Sequence, residues 1–460
     1  MRQIYRDRDG RNQPRHGSFE PSQPQEGGFE YTDPLTGIAN RRRFYEKIES
    51  RIEQVWDDPV PFAVCLVDLD GFKPINDYFG RSGGDEILCQ VALRLKTCVP
   101  HGAIPARIEG DRFAIFYPNL YTERACKETG DLLVEIISAP FDLGERSARL
   151  TASVGISLFT ETSENADVLV QKAESATYES KKSGRGLCTV YSAKMEEKAR
   201  YNMQVEQALR LAIADDAVTP FYQPIVDLPT GKTIGFEALA RWTDRSLGFV
   251  SPGVFIPIAE ERGMITQLTQ ALLKKAAKQA RLWPDDVFLS FNLSPAQLID
   301  MNTVNTIVNI LSKAILDPRR LEIEITETSM MANPEAAMQI INDLRAIGIR
   351  ISLDDFGTGQ SSLGRLREFQ FDKVKIDRAF VSTMLEDRPT EHIVRAILSM
   401  CEGMEMKVVA EGIEEKGQAN MLIDYGCGGG QGYLYGKALD AQTAIEALQT
   451  NYTQMNAMSA

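Results

Sequence analysis

Eight short apolar segments in the second half of the chain constrain its fold more than any other feature. They read VTPFYQPIVD, TIGFEALARW, VFLSFNLS, LEIEIT, RISLDDF, DKVKID, KVVAEG and QGYLYG. Each is β-branched or alternates apolar with polar residues, which is the pattern of a strand. Helical stretches lie mostly between them. Eight strands alternating with helices over roughly 230 residues predict a (β/α)8 barrel. A doubly wound open sheet is the structural alternative.

The polar residues of these segments fall mainly at strand ends. Glu237 and Arg241 lie on the second strand, Asn292 closes the third, and Glu324 and Glu327 end the fourth. Asp354 and Asp355 close the fifth, Lys375 and Asp377 the sixth, Glu411 and Glu414 follow the seventh, and Gln431 opens the eighth. In a barrel the C-terminal strand ends share one mouth. Burying one charge without a partner is costly, so acids and amides at most strand ends point to a site rather than to packing. The ligands are hard oxygens, suited to Mg2+ or Mn2+. Two such ions about 3.5–4 Å apart form a clamp for phosphodiester hydrolysis, and Lys375 adds a fixed cation near the attacking water.

The bulk numbers exclude other classes. The chain has 460 residues, 43% hydrophobic and 25% charged, room for two or three domains. A net charge of −13 disfavours a nucleic-acid polymer as partner. No apolar run approaches the roughly 20 residues of a membrane span, and the N-terminus lacks a secretory core, so no membrane association is expected. Seven cysteines without paired spacing suit a reducing cytoplasm, and three scattered histidines argue against a zinc or iron centre.

Residues 1–32 read as a disordered tail, rich in Arg, Gln, Pro, Gly and Ser. Residues 33–191 form an α+β unit. Its expected order is a helix over 40–55, a strand over 62–69, a helix over 84–98, a hairpin turning at Glu109-Gly110-Asp111, a helix over 122–138, the strand RLTASVGISLF, a helix over 165–181 and a closing strand. Residues 192–216 read as a helical linker in which Met203, Leu209 and Leu211 punctuate charged positions. The barrel is expected over 217–450, with a tail over 451–460.

Two resemblances cover these units. The runs DPLTGIANRR, DLDGFKPIND, RIEGDRF, SVGIS and SKKSGRG resemble a GGDEF domain, the palm-like fold of diguanylate cyclases. Gly83-Gly84-Asp85-Glu86 spells most of the family signature, but the resemblance places the signature turn at Glu109-Gly110-Asp111-Arg112-Phe113. Arg112 then stands where the family has a metal-site glutamate, and Glu109 where it has a glycine. The Arg-x-x-Asp motif of product inhibition is replaced by Pro100-His101-Gly102-Ala103. The resemblance therefore implies a domain without cyclase activity. It retains Asp68, Asn76, Asp85, Lys181 and Arg185, with which it would bind GTP without turnover and tune its neighbour; the alternative is a relic scaffold that only docks.

The barrel segments FYQPIVDLPTGKTIGFEALARW, FNLSPAQL, EIEITET, LDDFGTGQSSLGRL, DKVKIDRAFV, VVAEGIE and GQGYLYGKAL resemble an EAL domain, the cyclic di-GMP phosphodiesterase family. The resemblance implies metal ligation by Glu237, Asn292, Glu324, Asp354 and, for a second ion, Asp355. Lys375 and Glu411 would orient or deprotonate the water, Gln431 would help hold water and substrate, and Arg241 would contact a substrate phosphate. Glu327 would anchor the glycine loop Phe356–Ser362, and pairing beside that loop would give a homodimer. Gln360 stands where the family commonly has an aromatic, and Gly428-Gly429 replace an acid and a bulkier residue. The expected reaction is hydrolysis of cyclic di-GMP to linear 5′-pGpG. A receptor that binds the dinucleotide without cutting it is the alternative, and a dual enzyme that also makes it is disfavoured by Arg112.

Overall fold

The structure is a computed structural model. It describes residues 30–54, 61–144, 146–159, 165–331, 333–357 and 368–458. Residues 358–367, which hold Gln360 and most of the expected glycine loop, lie outside the described residues, as do residues 1–29 of the expected tail. The chain divides into two compact units, Met1–Lys198 and Ala199–Ala460. Among the described residues no helix is long and apolar enough to cross a membrane.

The first unit is a six-stranded sheet. Its strands are β1 (Ala39–Asn40), β2 (Ala63–Asp70), β3 (Ile104–Glu109), β4 (Arg112–Tyr117), β7 (Thr151–Leu158) and β8 (Cys188–Val190). A small separate hairpin, β5 (Phe141–Leu143) with β6 (Arg146–Ala148), lies between β4 and β7 in the chain and was not expected. The sheet order is β1-β3-β4-β2-β7-β8. The three central pairings are antiparallel and the two outer ones parallel. Strand β2 (AVCLVDLD) is buried over most of its length, because helices cover the sheet. Helices α1 (Arg41–Gln54), α3 (Glu123–Ser138) and α4 (Ala166–Lys182) follow the apolar spacing. Thr122 and Asn165 cap α3 and α4 by accepting from the N–H of Ala125 and Val168. Helix α2 (Phe72–Cys98) starts well before residue 84, and Gly80 at φ 75° breaks its course. The Gly83–Glu86 run therefore lies inside a helix and cannot form the signature turn.

Helix α5 (Ala193–Ala214) carries the chain into the second unit. Its buried stripe is Val205, Leu209 and Ala212 at helical spacing, whereas Met203 and Leu211 are exposed.

The second unit is a closed eight-stranded barrel. Strands β9 (Thr219–Asp227), β10 (Thr233–Asp244), β12 (Phe288–Asn292), β13 (Leu321–Thr326), β14 (Arg350–Phe356), β15 (Lys373–Ile376), β16 (Lys407–Ala410) and β17 (Gly429–Gln431) follow one another, and β9 closes on β10. A short β11 (Gly248–Val250) extends the end of β10. The barrel departs from a regular (β/α)8 in one respect. Strand β9 runs antiparallel to both neighbours, β10 and β17. The physical reason is the short Leu228–Lys232 connection, which is long enough for a hairpin and far too short for a crossover. The last strand ends at Gln431, so the YLYG run is not strand, and the final helix Ala441–Met458 continues through the segment read as a tail.

Candidate functional site

Strand alternation sorts the barrel's inward residues into layers. On β13 the inward parity carries Glu322 and Glu324, on β14 Arg350, Ser352 and Asp354, and on β15 Lys373 and Lys375. Ile225, Phe288 and Val409 form an apolar cluster of their own between the two ends. Two ionic layers result, one at the C-terminal rim and one at the base.

At the rim everything converges on Lys375, whose side chain is 1% exposed. Its Nζ lies 2.5 Å from Glu411 Oε1, 2.9 Å from Glu324 Oε2, and 3.5 Å from both Glu237 Oε2 and Asp354 Oδ1. Four carboxylates on four strands or strand ends thus share one ammonium. Amides and a hydroxyl hold the acids in place. Asn292 Nδ2 donates to Glu237 Oε1 at 2.7 Å, Gln431 Nε2 donates to Glu237 Oε2 at 2.7 Å, and Ser290 Oγ donates to Glu324 Oε1 at 2.6 Å. Gln431 is steadied in turn by Gln223 on β9, a residue the sequence reading missed.

These surroundings move the acids in different directions. Burial pushes the Glu237 carboxyl up, but Lys375 and the amide donors outweigh it and hold it below the usual range. Burial and the neighbouring Glu237 raise Glu324 well above that range. Burial, with Asp354 and Glu237 adding, lifts Glu411 to about 7 against the pull of Lys375. The lysine itself is raised, since its four acids overcome the cost of burying it.

Asp354 and Asp355 are consecutive, so on a regular strand they would face opposite sides. Asp355 instead adopts φ 56°, and the β14–β15 register slips between Leu353 and Phe356. This bulge turns both carboxylates to one side. Oxygens of Asp354, Asp355 and Glu411 then lie within 4.8 Å of one another, and among the described residues no other group of acids, histidines or cysteines is so arranged. Burial, and then the charge of Asp354, raise Asp355. Asp354 Oδ1 and Glu324 Oε2 are sealed from solvent and accept no hydrogen bond, with the shared Lys375 ammonium as their ion-pair partner. Clustered hard oxygens with orphaned lone pairs fit a divalent cation. The expected ligand sets are therefore divided. Glu237, Glu324 and Asp354 gather around Lys375, Asn292 binds the other oxygen of Glu237, and Asp355 joins Asp354 and Glu411.

A cavity of about 270 Å³ opens over this rim, lined by Gln223, Glu237, Asp354, Glu411, Gln431 and Tyr433 among others. Gly412, at φ 67°, lets Arg378 pass, because a Cβ there would sit 2.2 Å from the Arg378 side chain. Arg378 pairs with Glu414 at 2.8 Å beside the opening. Arg241 lies apart from the carboxylates. It lines an adjoining, more apolar cavity of about 310 Å³, and its Nη1 donates to the carbonyl of Ala240. Glu327 starts a short helix after β13, and most of the loop it would anchor lies outside the described residues.

In the first unit a cavity of about 400 Å³ lies beside Asp68, at the end of β2. Two cations occupy that carboxylate. Lys181 Nζ lies 2.7 Å from Oδ1, and Arg112 Nε lies 3.2 Å from Oδ2, with Glu109 3.6 Å from Arg112. Asp68 and Lys181 line the cavity, and Asn76, Asp85 and Arg185 do not. Asn76 packs against Gly84 across the kink of α2, and Asp85 is exposed.

An α+β sheet unit followed by a barrel with an acidic rim defines a two-domain class of chain, and comparison with known proteins assigns both domains. The chain belongs to the EAL family. The EAL domain model matches residues 206–438, and the model described as diguanylate cyclase, GGDEF domain, matches residues 30–187. It is 34% identical over 420 residues to the bifunctional diguanylate cyclase/cyclic di-GMP phosphodiesterase MucR of Pseudomonas aeruginosa, covering 90% of this chain and 61% of that protein. The solved PaMucR phosphodiesterase in complex with cyclic di-GMP matches at 37% identity and TM-score 0.51, over 53% of this chain and 100% of that one. The S helix–GGDEF–EAL portion of LapD from Vibrio cholerae shares the fold, at 19% identity and TM-score 0.60, over 88% of this chain and 96% of that one. The chain spans 50–61% of the length of the first curated relatives it matches.

Proposed function

We propose that the barrel hydrolyses one phosphodiester of cyclic di-GMP to give linear 5′-pGpG. The observation that carries this reading is the convergence of Glu237, Glu324, Asp354 and Glu411 on Lys375, beside the Asp354–Asp355–Glu411 cluster. A phosphodiesterase relative solved with cyclic di-GMP supports the choice of substrate. Asp354, Asp355 and Glu411, with Glu237, Asn292 and Glu324 adjoining, would hold two divalent ions, Mg2+ or Mn2+. Bound there, the ions would supply Lewis acidity at the phosphoryl group and lower the pKa of the attacking water. Lys375 holds the acids in register and keeps positive charge beside the water. Glu411, 2.5 Å from Lys375 Nζ and on the cavity wall, would with Lys375 orient or deprotonate that water. Gln431 fixes Glu237 and faces the cavity, where it can hold water and substrate. Arg241 would take a substrate phosphate and Glu327 would anchor the following loop.

The first unit makes no cyclic di-GMP in this reading, because Arg112 and Lys181 already neutralise Asp68. It would bind GTP as a regulator. A homodimer through the barrel is proposed on resemblance. A cytoplasmic setting is proposed from the seven free cysteines. The test is direct: purified protein with Mg2+ or Mn2+ converts cyclic di-GMP to pGpG, and Glu237→Ala abolishes it. Intact dinucleotide after incubation with either metal, with and without GTP, would refute the reading.

A further inference from the structure

The base of the barrel carries a second ionic layer with the opposite balance. Glu322, Arg350, Lys373 and Lys407 share the inward strand parity there, one acid against three cations. Backbone register makes Glu322 the direct partner of Arg350, and Lys373 the direct partner of Lys407. Like charges placed opposite each other destabilise a sheet, so packing alone does not account for the arrangement. Lys373 is 5% exposed and takes both oxygens of Glu322, at 2.6 and 2.7 Å. That leaves Arg350 with no carboxylate among the described residues. Its guanidinium stacks on Phe288, 4.8 Å from the ring centroid, and Lys373 Nζ approaches the same ring at 4.1 Å. Gly235 makes room for that ring, since a Cβ there would lie 2.6 Å from it. Arg350 Nε is sealed from solvent and finds no acceptor.

Glu322, Arg350, Lys373 and Lys407 line an open cavity of about 760 Å³. The other acids around it do not restore the balance. Asp372 accepts from the N–H of Ile351 and faces Arg345 at 3.6 Å, and Glu405 is exposed at the mouth. Three cations against one acid already taken by Lys373, around an open cavity, call for an anion with several acceptor oxygens, and Arg–phosphate geometry supplies them.

We propose that the base of the barrel, at the end opposite the acidic rim, is a binding site for a phosphate group carried by a small molecule, with Arg350 and Lys407 as its recognition residues. The site does not depend on the hydrolase reading.

The test is calorimetric titration of the full chain with orthophosphate, in EDTA and at constant ionic strength. Adenosine 5′-monophosphate in a parallel arm separates free phosphate from a phosphate ester. Saturable binding is expected, weakened about ten-fold or more by Arg350→Met and by Lys407→Met, and retained by Glu237→Gln at the rim. Lys407 is exposed, so its variant folds whatever the role of Arg350. Heats that do not saturate for either ligand, or an affinity that both variants leave unchanged, would overturn the proposal.

Discussion

The two units each place a lysine against a strand-end aspartate, and they differ in the charge that is left over. Around Asp68 two cations, Lys181 and Arg112, meet one carboxylate, with Glu109 as an outer partner. Around Lys375 four carboxylates meet one cation, and Asp355 adds a fifth nearby. The first arrangement is already neutralised from within. The second retains negative charge that bound protons or an external cation must balance. Arg112, at the position where the resemblance implies a glutamate, is one of the two cations that make this difference.

The largest expected effect is on the acidic side of this comparison. Asp354→Asn removes a charge shared by both clusters and should lower the hydrolytic rate by roughly 10³-fold, on the order of 4 kcal/mol in the barrier, read by chromatography of pGpG. A variant within a few-fold of the parent would place the chemistry elsewhere. Lys375→Met comes next. It strands four acids, two of them buried, and should destabilise the barrel by about 3–5 kcal/mol in metal-free denaturation. Divalent ions should restore part of that loss, and a loss of equal size with and without Mg2+ would show that the lysine and the ions do not share one set of acids.

Metal itself sharpens the contrast. Mg2+ at 100 times its Kd should stabilise the barrel by about 2.7 kcal/mol and leave the unfolding of the first unit unmoved. In Arg112→Glu the first unit should gain a Mg2+-dependent shift of its own. No shift in that variant would mean that Arg112 is not what excludes the ion.

The smallest effect is on pH. Glu411 is raised from 4.5 to about 7 in the folded protein, so between those values the folded state binds more protons than the unfolded one. Metal-free protein should therefore lose stability as pH rises from 5 to 7. Glu324, raised in the same sense, adds to the loss. Glu237, held low, gives a stabilisation already complete above about 4.5 and does not alter the trend. Thermal unfolding at several pH values in EDTA measures this, and a rising midpoint over that window would contradict the assignment.

Much of the barrel is legible in the sequence because strand period and strand-end acids are local signals. Glu237, Glu324, Asp354 and Lys375 can be placed on one rim from spacing alone. The partition among them cannot. That Lys375 gathers four acids depends on the stagger of neighbouring strands, a non-local quantity. The joint orientation of Asp354 and Asp355 depends on a bulge that adjacent aspartates do not signal. Gln223 escaped notice because its strand reads as ordinary alternation, and its relevance appears only once β9 closes the cylinder. The exchange at Asp68 was half visible. Arg112 stands out against the family pattern, but that Lys181 turns onto the same carboxylate follows only from the packing of α4 on the sheet.

The reversed direction of β9 has a consequence for control. Thr219, where that strand begins, is level with Arg241 near the far end of β10. The polypeptide leaving α5 therefore enters the cylinder at its acidic mouth, where a regular eightfold repeat would enter at the floor. Gln223, level with Glu237, follows only four residues after that entry point, so the strand that receives the incoming chain is the one that steadies Gln431 over the carboxylates.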